Sequence, residues 1–219
     1  MENSTNIDKG YRQHPPGKDK KPAAPNPMKV MIGANGVFSD ISSYFQLLKE
    51  AEKLKKEVYI DTLTKIGNRK YFEMVFQSKM YELKTLNIPF GLIFFDIDNF
   101  KDINDIYGHN LGDNILKMVA ENITRISRSL DTICRWGGDE FILIISYVDK
   151  IMLQEFTERL RIFIQNICLL INTKERLSIT VSIGATIVKP NDTIETSVKR
   201  ADELMYKSKK EGKNKINIG

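Results

Sequence analysis

Residues 90–100 read FGLIFFDIDNF. An almost unbroken apolar run from Phe90 to Phe95 is the pattern of a central strand buried on both faces, and it stops at Asp96 and Asp98. A carboxylate at the end of such a strand needs a partner. Alternate residues of a strand share a face, so Asp96 and Asp98 can point the same way, and two hard oxygen ligands suit Mg²⁺ with a phosphate completing its shell. The alternative for Asp98 is a cap on the helix that follows.

Working outward, a second apolar run, FILII at 141–145, follows Gly137, Gly138, Asp139 and Glu140. The spacing predicts a hairpin of Thr132–Trp136 and Asp139–Tyr147 turning on Gly137-Gly138, with Asp139 and Glu140 opening the outgoing strand. Charges there are costly unless paired or metal-bound. If the hairpin lies beside 90–97, Asp96 and Asp139 can hold a metal pair between them, an arrangement used for in-line attack on phosphorus. Helices are expected at 68–86, 100–105, 112–128, 150–171 and 193–210, and further strands at 178–187 and 215–218. A hairpin mixed with crossover helices implies an α+β fold, an antiparallel or mixed sheet covered by helices.

Upstream, five of the seven prolines fall within residues 15–27 of a polar, lysine-rich opening. Residues 1–35 are therefore expected to be a disordered tail. Over 36–59, Tyr44, Leu47, Ala51, Leu54 and Val58 follow a 3, 4, 3, 4 spacing. That stripe is either a dimer stalk or a helix docked on the domain formed by 60–219. The 219 residues hold 33 Lys and Arg against 28 Asp and Glu, and the net charge of +5 favours phosphate-bearing partners only weakly. Nucleic acid is not expected, because no aromatics interleave with the lysines of the tails. Two cysteines make no disulfide framework, and no apolar run reaches membrane-spanning length, so the expectation is a cytoplasmic protein with no membrane contact.

Two further groups of residues carry chemistry. In NDIYGHNLGD (104–113) glycines at 108 and 112 are expected to break the helix and leave Asn104, His109 and Asp113 free, and an Asn with an Asp can read the edge of a purine. These are also common turn residues, and a structural role for His109 is equally open. Lys209 and Lys213 end the last long helix, where they either reach a polyphosphate or form a solvated basic face.

An ordered series of motifs, DTLTKIGNRKYF (61–72), FFDIDNFKDINDIYGHNLGD (94–113), RWGGDEF (135–141), SIGAT (182–186) and ADELMYKSKKEGKN (201–214), resembles the GGDEF family of bacterial diguanylate cyclases. The resemblance implies a polymerase-palm-like fold and a Mg²⁺-dependent reaction, with Mn²⁺ as a substitute, that joins two GTP into cyclic di-GMP and releases pyrophosphate. It also implies a homodimer, each protomer presenting one GTP. Asp96, Asp139 and the Ile97 carbonyl are then the metal ligands. Asp139, Glu140 and Lys101 form the catalytic group. Asn104 and Asp113 read guanine with His109 as a weaker member, and Phe100, Gly137, Gly138, Lys209 and Lys213 complete the substrate site. Lys213 stands where the family commonly has arginine, which keeps the charge and loses the fork.

Arg128 and Asp131 spell RxxD just before the hairpin, where the family carries its product-inhibition site. The resemblance therefore implies inhibition by cyclic di-GMP, against a plain surface ion pair. Lys65 replaces the usual glycine of the first motif, so the turn there is expected to differ, and Asp61 is expected to pair with Arg135. A regulatory protein acting on the N-terminal helix is a further implied partner. A second reading is a catalytically silent domain that senses GTP or cyclic di-GMP; the intact acidic residues favour catalysis.

Overall fold

A computed structural model describes residues 41, 43–50, 58–170 and 176–219. The expected tail at 1–35 lies outside them. So do Ala51 and Leu54 of the heptad stripe. Residues 43–50 are helical, with Tyr44 60% and Leu47 64% exposed. The chain divides into two units after Glu50, and of the first the described residues are 41 and 43–50.

In the second unit the strands are β1 (Phe90–Ile97), β2 (Thr132–Gly137), β3 (Glu140–Ser146), β4 (Cys168–Leu170), β5 (Arg176–Ser178), β6 (Val181–Ile187) and β7 (Ile216–Ile218). The helices are α1 (Arg69–Leu86), α2 (Phe100–Tyr107), α3 (His109–Ile126), α4 (Lys150–Gln165) and α5 (Ile194–Lys210). The main sheet runs β2-β3-β1-β6-β7 and is antiparallel except for the parallel β6–β7 pair. All eight residues of β1 are buried, as the apolar run required. Its odd-numbered side chains, Ile93, Phe95 and Ile97, pack with α2, α3 and α4, while Phe90, Leu92 and Phe94 pack with α1 and α5. The fold is the expected α+β sheet flanked by helices.

Side-chain caps start three of these five helices. Asn68 caps α1 by accepting from the Tyr71 N–H at 3.1 Å, Asp149 caps α4 through the Met152 N–H, and Thr193 with Thr196 forms a capping box on α5. Gly184 brings α5 down onto β6. A Cβ there would lie 2.0 Å from the Ala201 carbonyl and 2.3 Å from the Met205 nitrogen, so the helix rests directly on the strand.

Four expectations are corrected. The helix expected at 150–171 ends at Gln165, because Cys168–Leu170 instead pairs as β4 with β5 in a separate two-stranded sheet. The strand expected at 178–187 is split at Ile179 and Thr180, where the Thr180 hydroxyl turns to bond Asp98. The third helix starts at His109 rather than 112, with Gly112 buried inside it. The hairpin turn is Gly138-Asp139, since Gly137 pairs with Glu140 as the last residue of β2. Only Gly138 of the glycine pair has positive φ, at 52°.

The Lys65 turn forms with a lysine in the left-handed region, at φ 61°. Asp61 organises it, accepting from the N–H and hydroxyl of Thr64 at 2.8 and 2.6 Å. Chemical denaturation is expected to show Gly184→Ala destabilised by about 3 kcal/mol or more, because backbone must move to admit the methyl. Lys65→Gly is expected to change stability by less than about 1 kcal/mol, as relief of left-handed strain offsets the added freedom of the unfolded chain.

Candidate functional site

The chemistry gathers where β1 leaves the sheet. Asp96, on the face shared with α5, pairs directly with Glu140 of β3 on one side and Ser182 of β6 on the other. Its carboxylate lies 2.7 Å from the Lys209 ammonium of α5. Burial pushes the Asp96 carboxyl above its ordinary range, the Lys209 hydrogen bond opposes this, and the nearby Asp139 charge adds to it. Glu140 is raised as well, by burial first and then by Asp96, Asp202 and Asp139. One ammonium faces several carboxylates, and the site is short of positive charge.

Backbone direction adds a further oxygen. The Phe90 carbonyl accepts from the Val188 N–H, and the Asp98 N–H donates to Thr180, so even-numbered residues here turn their backbone groups toward β6. Odd-numbered Ile97 therefore turns its carbonyl toward β3. The β1–β3 ladder ends at Asp96 and Glu140, which leaves that carbonyl facing the Gly138-Asp139 turn. Among the described residues no group of three or more His, Cys, Asp or Glu side chains is arranged to hold a metal. Asp96, Asp139 and the Ile97 carbonyl offer hard oxygens of the kind that fit Mg²⁺ and leave positions for phosphate.

Asp98 is engaged elsewhere. Its oxygens accept from Thr180 Oγ1 at 2.7 Å, Ser182 Oγ at 2.6 Å and the Asn214 N–H at 3.0 Å. It neither caps α2 nor joins Asp96; it ties β1 to β6 and to the loop after α5. Asn99, in the left-handed region at φ 59°, precedes α2 without a side-chain cap and accepts instead from the Lys213 ammonium. The first amides of α2, at Phe100 and Lys101, thus lack a side-chain cap.

Asn104 lies across Gly112, where a Cβ would meet Asn104 Oδ1 at 1.9 Å. Glycine there serves close approach inside a helix and not a break. Asn104 Oδ1 is buried with no hydrogen-bond partner, next to the residue that precedes Asp113. A buried acceptor without a donor is uncommon and costs about 1–3 kcal/mol. His109, Asp113 and Lys101 are exposed.

Arg135 braces the hairpin from behind. Its Nε and Nη2 donate to the Gly138 carbonyl at 2.9 and 2.7 Å, and its Nη1 meets Asp61 at 3.3 Å, the expected pair. Burial alone would raise the Asp61 carboxyl, but the Thr64 hydrogen bonds and the Arg135 charge hold it below its ordinary range. Trp136, the residue where the β2–β3 register shifts, was not singled out by its sequence. It packs edge-on against Phe72 and Phe94, lies 4.2 Å beneath the Arg69 guanidinium, and separates clefts of about 820 and 470 Å³. The smaller cleft is also lined by Glu140 and Asp202; Asn104 and Asp113 line neither. Cys134 belongs to the core, with burial pushing its thiol up to about 12.

Arg128 and Asp131 border a small hollow of about 60 Å³ that also receives Arg159 of α4. Asp131 already accepts from the Arg128 N–H at 2.9 Å and the Ser146 N–H at 3.2 Å, so it shapes the turn as well as lining the hollow. Arg159 carries no local sequence signal, because only the packing of α4 brings it there.

The family model described as "Diguanylate cyclase, GGDEF domain" matches residues 58–215. The chain is 32% identical over 180 residues to the diguanylate cyclase DosC of Escherichia coli, covering 81% of this chain and 39% of that protein. It is also 32% identical over 177 residues to VdcA of Vibrio cholerae, covering 78% of this chain and 50% of the other. The chain thus spans two fifths to one half of the length of these relatives. Among solved structures, the coiled coil and GGDEF domain of DgcB from Caulobacter crescentus in complex with c-di-GMP superposes with a TM-score of 0.78 at 26% identity, over 84% of this chain and 97% of that one. The diguanylate cyclase SiaD of Pseudomonas aeruginosa, in complex with its activator SiaC, gives 0.73 at 27% identity, over 88% and 74%. With its sheet order, its GGDEF turn and its match along most of the second unit, this chain belongs to the GGDEF diguanylate cyclase family.

Proposed function

We propose that the chain is an active, Mg²⁺-dependent diguanylate cyclase that works as a homodimer and is inhibited by its product. The observation that carries this reading is the corner at Asp96, Glu140 and the Asp139 turn, where raised carboxyls face each other with Lys209 as the ammonium beside them. Such a corner gains most from a cation bound together with a polyphosphate.

Asp96, the Ile97 carbonyl and Asp139 would hold Mg²⁺, which when bound neutralises phosphate charge and favours ionisation of a 3′-hydroxyl. The α2 N-terminus around Phe100 offers amides to phosphate oxygens, helped by Lys101. Gly137 and Gly138 leave open space, since a Cβ on either would meet nothing within 4 Å. Lys209 and Lys213 take the outer phosphates, and Lys209 exchanges Asp96 for them. Asn104 donates its amide N–H to a ring nitrogen of the base, Asp113 accepts from the guanine edge, and His109 borders that end.

In each of two steps a 3′-oxygen attacks the α-phosphorus of the GTP on the partner subunit, the bond to the β-phosphate oxygen breaks, and pyrophosphate leaves. The hydroxyl proton passes toward Asp139 and Glu140, the latter made a better acceptor by its raised range. One subunit presents half of the reactants, so assembly controls rate. The exposed Tyr44 and Leu47 on the helix at 43–50 supply a seam for that assembly, and DgcB, solved with its coiled coil, offers the parallel. The complex of SiaD with an activator gives a parallel for regulation by another protein.

Incubation with GTP and Mg²⁺ is expected to give cyclic di-GMP and two pyrophosphates at a rate rising faster than linearly with chain concentration, and Asp139→Ala is expected to lose at least about a hundredfold. Nucleotide binding without product at any concentration would establish the silent-sensor reading instead. Arg128→Ala is expected to raise final product yield by weakening inhibition; an unchanged inhibition curve contradicts the RxxD assignment.

The raised carboxyls also set a pH dependence. A carboxyl raised in the folded state binds its proton more tightly than in the unfolded chain, so its contribution to stability is present at low pH and is lost as pH rises through the raised range. Without Mg²⁺, stability is therefore expected to fall across that interval above the ordinary carboxyl range. In Glu140→Gln the fall is expected to shrink, measured by thermal unfolding at a series of pH values.

A further inference from the structure

Arg161, on α4, uses every arm of its guanidinium. Nε and Nη2 meet the two Glu158 oxygens at 3.0 and 2.6 Å, while Nη1 donates to Gln165 at 2.8 Å and to Asn214 Oδ1 at 2.7 Å. The first three bonds stay within one helix. The fourth reaches across to the loop that follows α5, and that loop carries strain. Gly212, Lys213 and Asn214 are consecutive residues with positive φ, at 110°, 61° and 48°, two of them with side chains. Asparagine adopts left-handed backbone more readily, but for a lysine it is costly and persists where the surroundings over-determine it.

Asn214 is where they do so. Its backbone N–H donates to Asp98, which Thr180 and Ser182 hold in turn, and its side chain accepts from Arg161. Between this anchor and the end of α5 stands Lys213, whose ammonium bonds Asn99 at the start of α2, and one helical turn earlier stands Lys209 on Asp96. The direction of Lys213 therefore follows from how Asn214 is pinned, while Lys209 is carried by α5 itself.

We propose that Arg161 is a positioning residue: through Asn214 it fixes the strained loop that aims Lys213 at the polyphosphate of the substrate. The inference rests on the proposed nucleotide site and adds to it a residue that touches neither base nor phosphate. Its bidentate grip on Glu158 pre-orients the guanidinium, so the arm toward Asn214 loses little freedom on bonding. A lysine in its place keeps charge but cannot hold Glu158 and Asn214 together.

The test uses the full chain with Mg²⁺ and two probes, an α,β-methylene analogue of GTP that cannot be cleaved and GMP, which lacks the outer phosphates. Arg161→Ala is expected to weaken the triphosphate analogue about tenfold while leaving GMP within about twofold, as loss of one charge-assisted bond predicts. Arg161→Lys is expected to recover only part of the loss. Asn214→Gly, which keeps the left-handed backbone and removes the acceptor, is expected to reproduce the selective loss, and the double variant to be no weaker than either alone. Equal analogue binding by folded Arg161→Ala or Asn214→Gly overturns the inference, as does an equal loss of both probes. A wild-type chain that binds neither probe overturns the nucleotide reading itself and the inference with it.

Discussion

Asp96 stands next to the last residue of a strand buried along its whole length, opposite Glu140 and with the Lys209 ammonium 2.7 Å away. Apolar burial along β1 drives the sheet together, and the same burial makes a carboxylate at its end costly. Much of the surrounding structure answers that cost. Gly184 lets α5 lie on β6 so that Lys209 reaches the corner, and Arg135 clamps the hairpin turn that brings Asp139 beside it. The corner is stable enough to exist and still short of positive charge.

Strain is distributed around that corner. Asn99, Lys213 and Asn214 all take left-handed backbone, and all three belong to the join between β1, α2 and the end of α5. Each is held by side-chain bonds that cross between elements: Lys213 to Asn99, Asn214 to Asp98 and to Arg161. The geometry of the cations is thus set by contacts distant in sequence, while the acidic side is set by one strand and one turn.

This difference explains what could be read from the sequence. The continuous apolar run of β1 and the glycine-bearing hairpin are local signals, and they placed Asp96, Asp139 and Glu140 at one corner of an α+β sheet. Asp98 sits at strand-like spacing from Asp96, yet only the arrival of Thr180 and Ser182 decides that it is structural. Gly112 resembles a helix breaker until Asn104 is seen to lie across it. The β4 segment continues the apolar pattern of α4, and its pairing with β5 is invisible to periodicity. Arg159 and Arg161 are ordinary helix-face arginines in sequence, distinguished only by what packs opposite them.

The central claim is that the end of β1 and the Asp139 turn together hold a metal ion with its nucleotide. Amide NMR spectra of the ¹⁵N-labelled chain, recorded with the uncleavable GTP analogue while Mg²⁺ is replaced by paramagnetic Mn²⁺, test it most directly. The account predicts that signals of Asp96, Ile97, Gly138, Asp139 and Glu140 broaden first, with Phe100 and Lys209 close behind. Broadening centred on the cleft around Trp136 and Arg69, with the β1 end spared, would contradict it.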